Sequence, residues 1–387
     1  MIAHVSKWVL PVDQPPIRDG AVVVAGDRIA AVGPADEVLS GFTGLICEHG
    51  HGAILPGVVN CHVHLEFSAL AGRVAPRARW EDWLDATLAA YGALAPEEVE
   101  AGIGRGIDAL WRSGAVLVGE VTNTGASWPH LARGPLSYHL FYECLGFNLL
   151  ERFDLPELFP FFGRPEVAAA AWVSAAAHAP YSVSAALFRA VDQWNAVRQG
   201  LQMVHLAESR AELDFLAKGN GFCEGLLKRR GRWAPDFQPP GVSPPAYLNS
   251  LEFLGSRTLA VHGAWLNSED CELLAGTGTW LVLCPPGQPV HRGRDAAGAG
   301  VAPGGGEPVP GHRLPGGQPG PESVRGNALA PAKLSRLPRG SLAAPGDPER
   351  RPGPGTGPGL RQSGTRETRG PGIHSPDGER GILGRAV

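Results

Sequence analysis

The chain has 387 residues, 43% of them hydrophobic and 19% charged, with a formal net charge of −4. That length permits one large barrel with a small accessory domain, or two ordinary domains. The mild acidity leaves no nucleic-acid footprint, no apolar run reaches the ~18 residues that span a bilayer, and the N-terminus lacks a signal-peptide layout. The expectation is a cytoplasmic protein without nucleic-acid or membrane partners. Cys47, Cys61, Cys144, Cys223, Cys271 and Cys284 form no C-x-x-C pair, so they read as reduced thiols.

Residues 1–55 alternate apolar runs with Asp-Gly and Gly-Asp turns, the pattern of short strands. From Ile54 the rhythm changes to strands alternating with longer helical segments, which predicts a β/α barrel. Strands are expected at 54–63, 115–121, 138–142, 171–177, 201–206, 258–262 and 280–283. Helices are expected at 80–94, 96–112, 184–198, 210–216 and 267–275, where apolar residues recur at three-and-four spacing. Asn267 is the expected cap of the last helix. The Pro/Gly/Arg stretch 228–245 reads as a loop. About seven strand–helix units result, one short of a closed (β/α)8 barrel.

The strongest local signal is PGVVNCHVHLE, residues 56–66. His62 and His64 stand two apart at the end of an apolar strand, so both imidazoles share one face and can reach one ion. Neutral imidazole suits zinc or iron. Taken alone, His-x-His also fits two surface histidines. In MVHLAES, His205 ends a strand and Glu208 follows it. A ligand beside a carboxylate serves metal-assisted hydrolysis, although a helix N-terminal Glu favoured by the macrodipole fits as well. His178 in AAAHAPYSVS and His262 in LAVHGAW also end strands. Each fits a buried histidine when taken singly; four strand-end histidine sites in succession do not fit packing alone.

The phrases LPGVVNCHVHLEFSAL, WEDWL, VGEVTNT, HAPYSVS, HLAESRAELDFL and LAVHGAWLNSED resemble the amidohydrolase superfamily, in its cytosine-deaminase-like and chlorohydrolase-like branch. Within that branch they are most similar to the aminodeoxyfutalosine deaminase group of menaquinone biosynthesis. The resemblance covers residues 1–284. It implies that His62, His64 and His205 bind one divalent metal ion, zinc or else iron. Glu208 would move the proton between water and the substrate ring, His262 would hydrogen-bond the attacking hydroxide, and His178 would contact substrate. Trp80 and Glu81 would face the substrate's sugar, a pair that equally fits a helix-surface Glu beside a core Trp. Residues 1–55 would form half of a small β-sandwich, residues 56–284 the barrel, and the assembly would be a homodimer. The activity implied is hydrolytic deamination of an aminated purine-type nucleoside. Deamination or dechlorination of another heterocycle, adenosine-type or triazine, is the alternative.

The pattern ends at Cys284. Residues 285–387 hold 18 Pro and 24 Gly, 14 Lys+Arg against 8 Asp+Glu, and none of the chain's Phe, Trp or Tyr. Such a composition cannot build a packed core and predicts an atypical, disordered tail. The resemblance calls instead for an eighth strand ending in Gly-Thr-Asp-Ser, whose Asp binds the metal and takes the water's proton. In a GC-rich back-translation, dropping one C from the run encoding Cys284 to Pro286 turns CPPGQPVHRG into CPRANQSTGG. The same frame turns GHRLPGGQPGPESVRGNA into GTDSLAANQALNLFGEM, and a third, collinear stretch resembles the closing sandwich strands. The tail therefore reads as an out-of-frame translation, with the Asp codon straddling those of Arg313 and Leu314. Read literally, the chain is an impaired or non-catalytic product. His291, His312 and His374 lie in this tail and receive no role.

Overall fold

The computed structural model describes residues 1–284 except 76, 78 and 152. The tail 285–387, with the out-of-frame reading and the missing Asp, lies outside the described residues.

The N-terminal sheet contains β1 (Ile2–Val9), β2 (Ile17–Ala25), β3 (Arg28–Pro34), β4 (Leu45–Glu48) and β5 (Ala53–Ile54). Its order is β3-β2-β1-β4, with β5 also pairing β1. The β2–β3 hairpin turns at Gly26, whose φ of 64° is one that glycine adopts without a Cβ penalty. Ala3, Val9, Ala21, Val22 and Val23 are buried, while Ile29, Leu45 and Ile46 remain exposed.

The second sheet holds β6 (Val58–Val63), β7 (Ala115–Thr122), β8 (Ser137–Cys144), β9 (Val173–Ala177), β10 (Gln202–Leu206), β11 (Thr258–His262) and β12 (Trp280–Val282). These seven strands neighbour one another in sequence order, every pair parallel. β9, β10 and β11 are buried along their whole length, as parallel strands covered on both faces must be. Helix Pro96–Arg112 lies against β7 and helix Ala185–Val197 against β9 and β10, and their Ile103, Ile107, Leu110, Leu187, Phe188 and Val191 share one buried cluster with Val118, Ala175, Ala177, Val204 and Leu206. Met203, Ala176, Phe141, Val121, Val261 and Val282 form a separate cluster. The alternation of Val204 and Leu206 with Met203 and His205 sends the histidine away from the helices. Among the described residues no strand joins β12 to β6, so the barrel is seven-stranded and not closed there.

The expected strands and helices all occur, within a few residues. The 54–63 run divides in two: Ile54 belongs to β5, and the second sheet begins at Val58. Pro56 and Gly57 separate the two, and a Cβ on Gly57 would lie 2.5 Å from Val116 Cγ1. The expected loop 228–245 is shorter than its composition suggests, because helices Phe222–Arg229 and Pro244–Ser250 enter it from both sides. Pro244 and Pro245 sit in the first helical turn, where a missing N–H costs nothing, and Ser243 caps it through an N–H from Ala246. Asn267 is a cap as expected: its Oδ1 accepts Asp270 N–H at 2.8 Å and Asp270 Oδ2 accepts Asn267 N–H at 3.2 Å. No helix among the described residues is long and apolar enough to cross a membrane.

Gly119 is where β7 presses on the histidine-bearing strand. A Cβ there would stand 2.3 Å from the backbone oxygen of Cys61. Gly119→Ala should lower stability by roughly 1–3 kcal/mol, read as a shift in the denaturant midpoint. An unchanged midpoint would show that β6 and β7 can separate at no cost.

Candidate active site

The strand ends bring their polar residues together. His62 lies in β6, and His64 is the residue before the 3-10 helix Leu65–Leu70. Both oxygens of the buried Glu120, on β7, accept the Leu65 N–H, at 3.0 and 3.2 Å. That carboxylate holds the start of the helix and so fixes where His64 leaves the strand. Glu66 in turn accepts hydrogen bonds from Thr122 and, at 2.7 Å, Thr124. Burial, then the charge of Glu66, pushes the Glu120 carboxyl well above the usual carboxylate range.

His205 Nε2 lies 3.2 Å from His64 Nε2 and 3.3 Å from His62 Nε2. Two ligands held about 2.0–2.1 Å from one ion at a tetrahedral angle stand roughly 3.4 Å apart. The spacing therefore fits three corners of a metal's coordination shell. Burial first, then the neighbouring imidazoles, drives His62 well below its ordinary value, and burial takes His64 down to about 4. Both rings are neutral near pH 7, the state in which imidazole donates a lone pair. The other nitrogen of His205, Nδ1, faces the His178 carbonyl oxygen at 2.9 Å. A carbonyl oxygen can only accept there, which favours the tautomer with the hydrogen on Nδ1 and the lone pair on Nε2. The donor set and its protonation states fit a divalent ion of the zinc or iron type.

Glu208 is placed by a local device. The chain bends at Ala207, which takes φ 49° after β10. Ser209 caps helix Arg210–Lys218, and the buried Glu212 reaches back to accept the N–H groups of Ala207 and Glu208, each at 3.0 Å. Burial raises the Glu212 carboxyl to about 8 despite those donors. Glu208 Oε1 then stands 3.6 Å from His262 Nε2, both residues nearly buried. Strict alternation would put His262 on the helix-facing side with Ala260. Instead its φ of 77° breaks the alternation, and its ring lies 5.3 Å from that of His205. A non-glycine residue held in the left-handed region at a site is a mark of functional constraint.

Five of the eight residues singled out in the sequence thus meet: His62, His64, His205, Glu208 and His262. His178 joins them, its ring 5.1 Å from His205 and its Nδ1 bonded to Ser182 Oγ. Trp80 stands one ring further out, 6.0 Å from Tyr181, which is itself 5.6 Å from His178. It packs in a cluster with Phe147, Tyr181 and Phe215. Glu81 pairs with Arg79 at 3.4 Å, and among the described residues no hydrogen bond or ion pair ties it to the histidines. Glu143, Glu120, Glu66 and Glu212 were not found from sequence. Glu143 carried the same signal as the histidines, a polar residue near the end of an apolar strand. Among the described residues no aspartate joins the three imidazoles.

Residues 53–287 match the amidohydrolase family, and the chain belongs to it. Residues 20–40 match an imidazolonepropionase-like composite domain of bacteria. The chain is 28% identical over 295 residues to an aminodeoxyfutalosine deaminase of Deinococcus radiodurans, covering 69% of this chain and 65% of that protein. It is 27% identical over 288 residues to a 5-methylthioadenosine/S-adenosylhomocysteine deaminase of Nitratidesulfovibrio vulgaris, covering 70% and 58%. The match thus spans less than two thirds of each of these relatives. The fold is that of the Helicobacter pylori aminofutalosine deaminase crystallised with methylthio-coformycin, at TM-score 0.64 and 22% identity over 75% of this chain and 71% of that one.

The imidazoles carry a pH prediction. His64 is neutral in the fold down to about 4 but takes a proton near 6.5 when unfolded. The unfolded chain therefore binds more protons between those values, and stability is full above 6.5 and lost as pH falls toward 4. His62 acts in the same direction. In chelator, the urea midpoint should fall between about pH 7 and about pH 5. A midpoint that holds or rises would mean that these rings are not buried neutral.

Proposed function

We propose that the chain descends from a metal-dependent hydrolase that deaminates an aminated purine-type nucleoside of the aminodeoxyfutalosine kind, the chemistry of menaquinone biosynthesis. The observation that carries this reading is the convergence of three imidazole nitrogens at 3.2 and 3.3 Å beside the buried Glu208–His262 pair. The relatives' names, which all denote deaminases, support it. His62, His64 and His205 would hold the ion, zinc in this reading, as in neighbouring folds solved with zinc. Bound there, the ion would supply the Lewis acidity that makes water nucleophilic at neutral pH.

Three residues beside the ion's site handle the proton and the substrate. Glu208 accepts a proton from the attacking water and delivers it to the ring nitrogen next to the carbon under attack. His262, within reach of Glu208, holds the attacking oxygen in line. As the bond to the exocyclic nitrogen breaks, the remaining hydroxyl proton of the adduct, taken up by the Asp that the restored frame would supply, passes to that nitrogen and ammonia leaves. His178 contacts the substrate ring, and Trp80 and Glu81 border the sugar side. The N-terminal portion 1–55 and barrel portion 56–284 are separate units in this reading.

For the chain as it stands, a second reading is favoured by the composition after Cys284, where residues 285–387 hold 18 Pro, 24 Gly and no Phe, Trp or Tyr: an impaired, out-of-frame product. Resequencing the codons for Leu283 to Gly287 tests it directly. One C fewer restores the Asp and the strand; confirmation of the extra base leaves a broken enzyme. A gene lacking that C should yield a protein that releases ammonia from aminodeoxyfutalosine, with 5'-methylthioadenosine and a chlorotriazine as competing substrates. Glu208→Gln in that protein should lower kcat by roughly 10²–10⁴-fold. Equal turnover by the 387-residue chain would overturn the second reading, and turnover of the triazine alone would overturn the first.

A further inference from the structure

Glu143 lies near the end of β8 and is 4% exposed. Its Oε2 accepts the Asn123 side-chain N–H at 2.9 Å, and the same amide reaches the Glu143 backbone oxygen at 3.3 Å. These two contacts hold the carboxylate in one place. Oε1 has no hydrogen bond among the described residues and stands 3.3 Å from His205 Nδ1.

A buried carboxylate with one oxygen lacking a hydrogen bond is expensive unless its charge serves something. Hydrogen bonding does not explain it, since a neutral amide would satisfy Asn123 equally well. The tautomer of His205 is already set by the His178 carbonyl at 2.9 Å. What Oε1 adds is negative charge against the back of the ring whose front nitrogen faces His62 and His64.

We propose that Glu143 is a positioning residue that polarises His205 through Nδ1, strengthening Nε2 as a donor toward a divalent ion. Asn123 keeps the carboxylate in register for that task. The inference rests on the three-histidine reading of the metal site. Charge at this place is the active ingredient, so the isosteric amide fails along with the truncation.

The test is a Co²⁺ titration of the full chain and of its Glu143→Gln and Glu143→Ala variants, followed by visible absorption, with circular dichroism confirming equal folding. Both variants should bind Co²⁺ about 10–100-fold more weakly, with a shifted ligand-field band. Parent-like affinity and spectrum in both would overturn the proposal. So would a parent-like Glu143→Gln beside a weakened Glu143→Ala, which would reduce Glu143 to packing and hydrogen bonding. Loss of a second, separate Co²⁺ equivalent with the first unchanged would also overturn it, assigning Glu143, His178 and His205 to an ion of their own. Should the parent bind no Co²⁺, the metal reading itself fails and the inference falls with it; unaltered variants beside a binding parent overturn the inference alone.

Discussion

Two imidazole nitrogens held within 3.3 Å of a third, His205 Nε2, set the terms for everything around them. Neutral rings at such spacing share no favourable charge, and protonation of two of them would set like charges against each other. The surrounding protein therefore has to exclude water, keep the rings unprotonated and hold them against their mutual crowding. Burial does the first two, driving His62 and His64 well down. Rigid parallel strands do the third.

The supports are carboxylates as much as apolar packing. Glu120 ties down the chain after His64, and Glu212 ties down the bend that aims Glu208. Both are buried, and burial pushes both above their ordinary range. Each accepts backbone N–H groups that the end of a strand or the start of a helix leaves without partners. The site is thus built on the polar ends of elements whose middles are apolar, which is why β9, β10 and β11 can be wholly buried and still end in chemistry.

Much of this was legible in the sequence, for definable reasons. Strand-end histidines stand out because a polar ring after a run of apolar residues has few structural uses. Helix Pro96–Arg112 was readable to the residue, since its periodicity and its first-turn proline agree. The helices at Phe222–Arg229 and Pro244–Ser250 were hidden by proline, glycine and arginine that suggest a loop by composition, although proline in a first turn favours a helix. Gly57 concealed the break between β5 and β6 because the apolar run continues across it. The supporting carboxylates were invisible for another reason: Glu120, Glu143 and Glu212 act on partners 55, 62 and 5 positions away, and only the fold brings the first two pairs together. Trp80 shows the reverse case, a residue prominent in sequence that the structure places one ring back from the histidines.

The three-histidine ligand set is the part of the account on which the chemistry stands. The most direct measurement is X-ray absorption at the zinc edge of the chain loaded with one equivalent of Zn²⁺. The account predicts three imidazole nitrogens about 2.0–2.1 Å from the ion, with the outer-shell scattering of histidine rings. A sulfur-dominated shell, or oxygen alone without imidazole scattering, would contradict it.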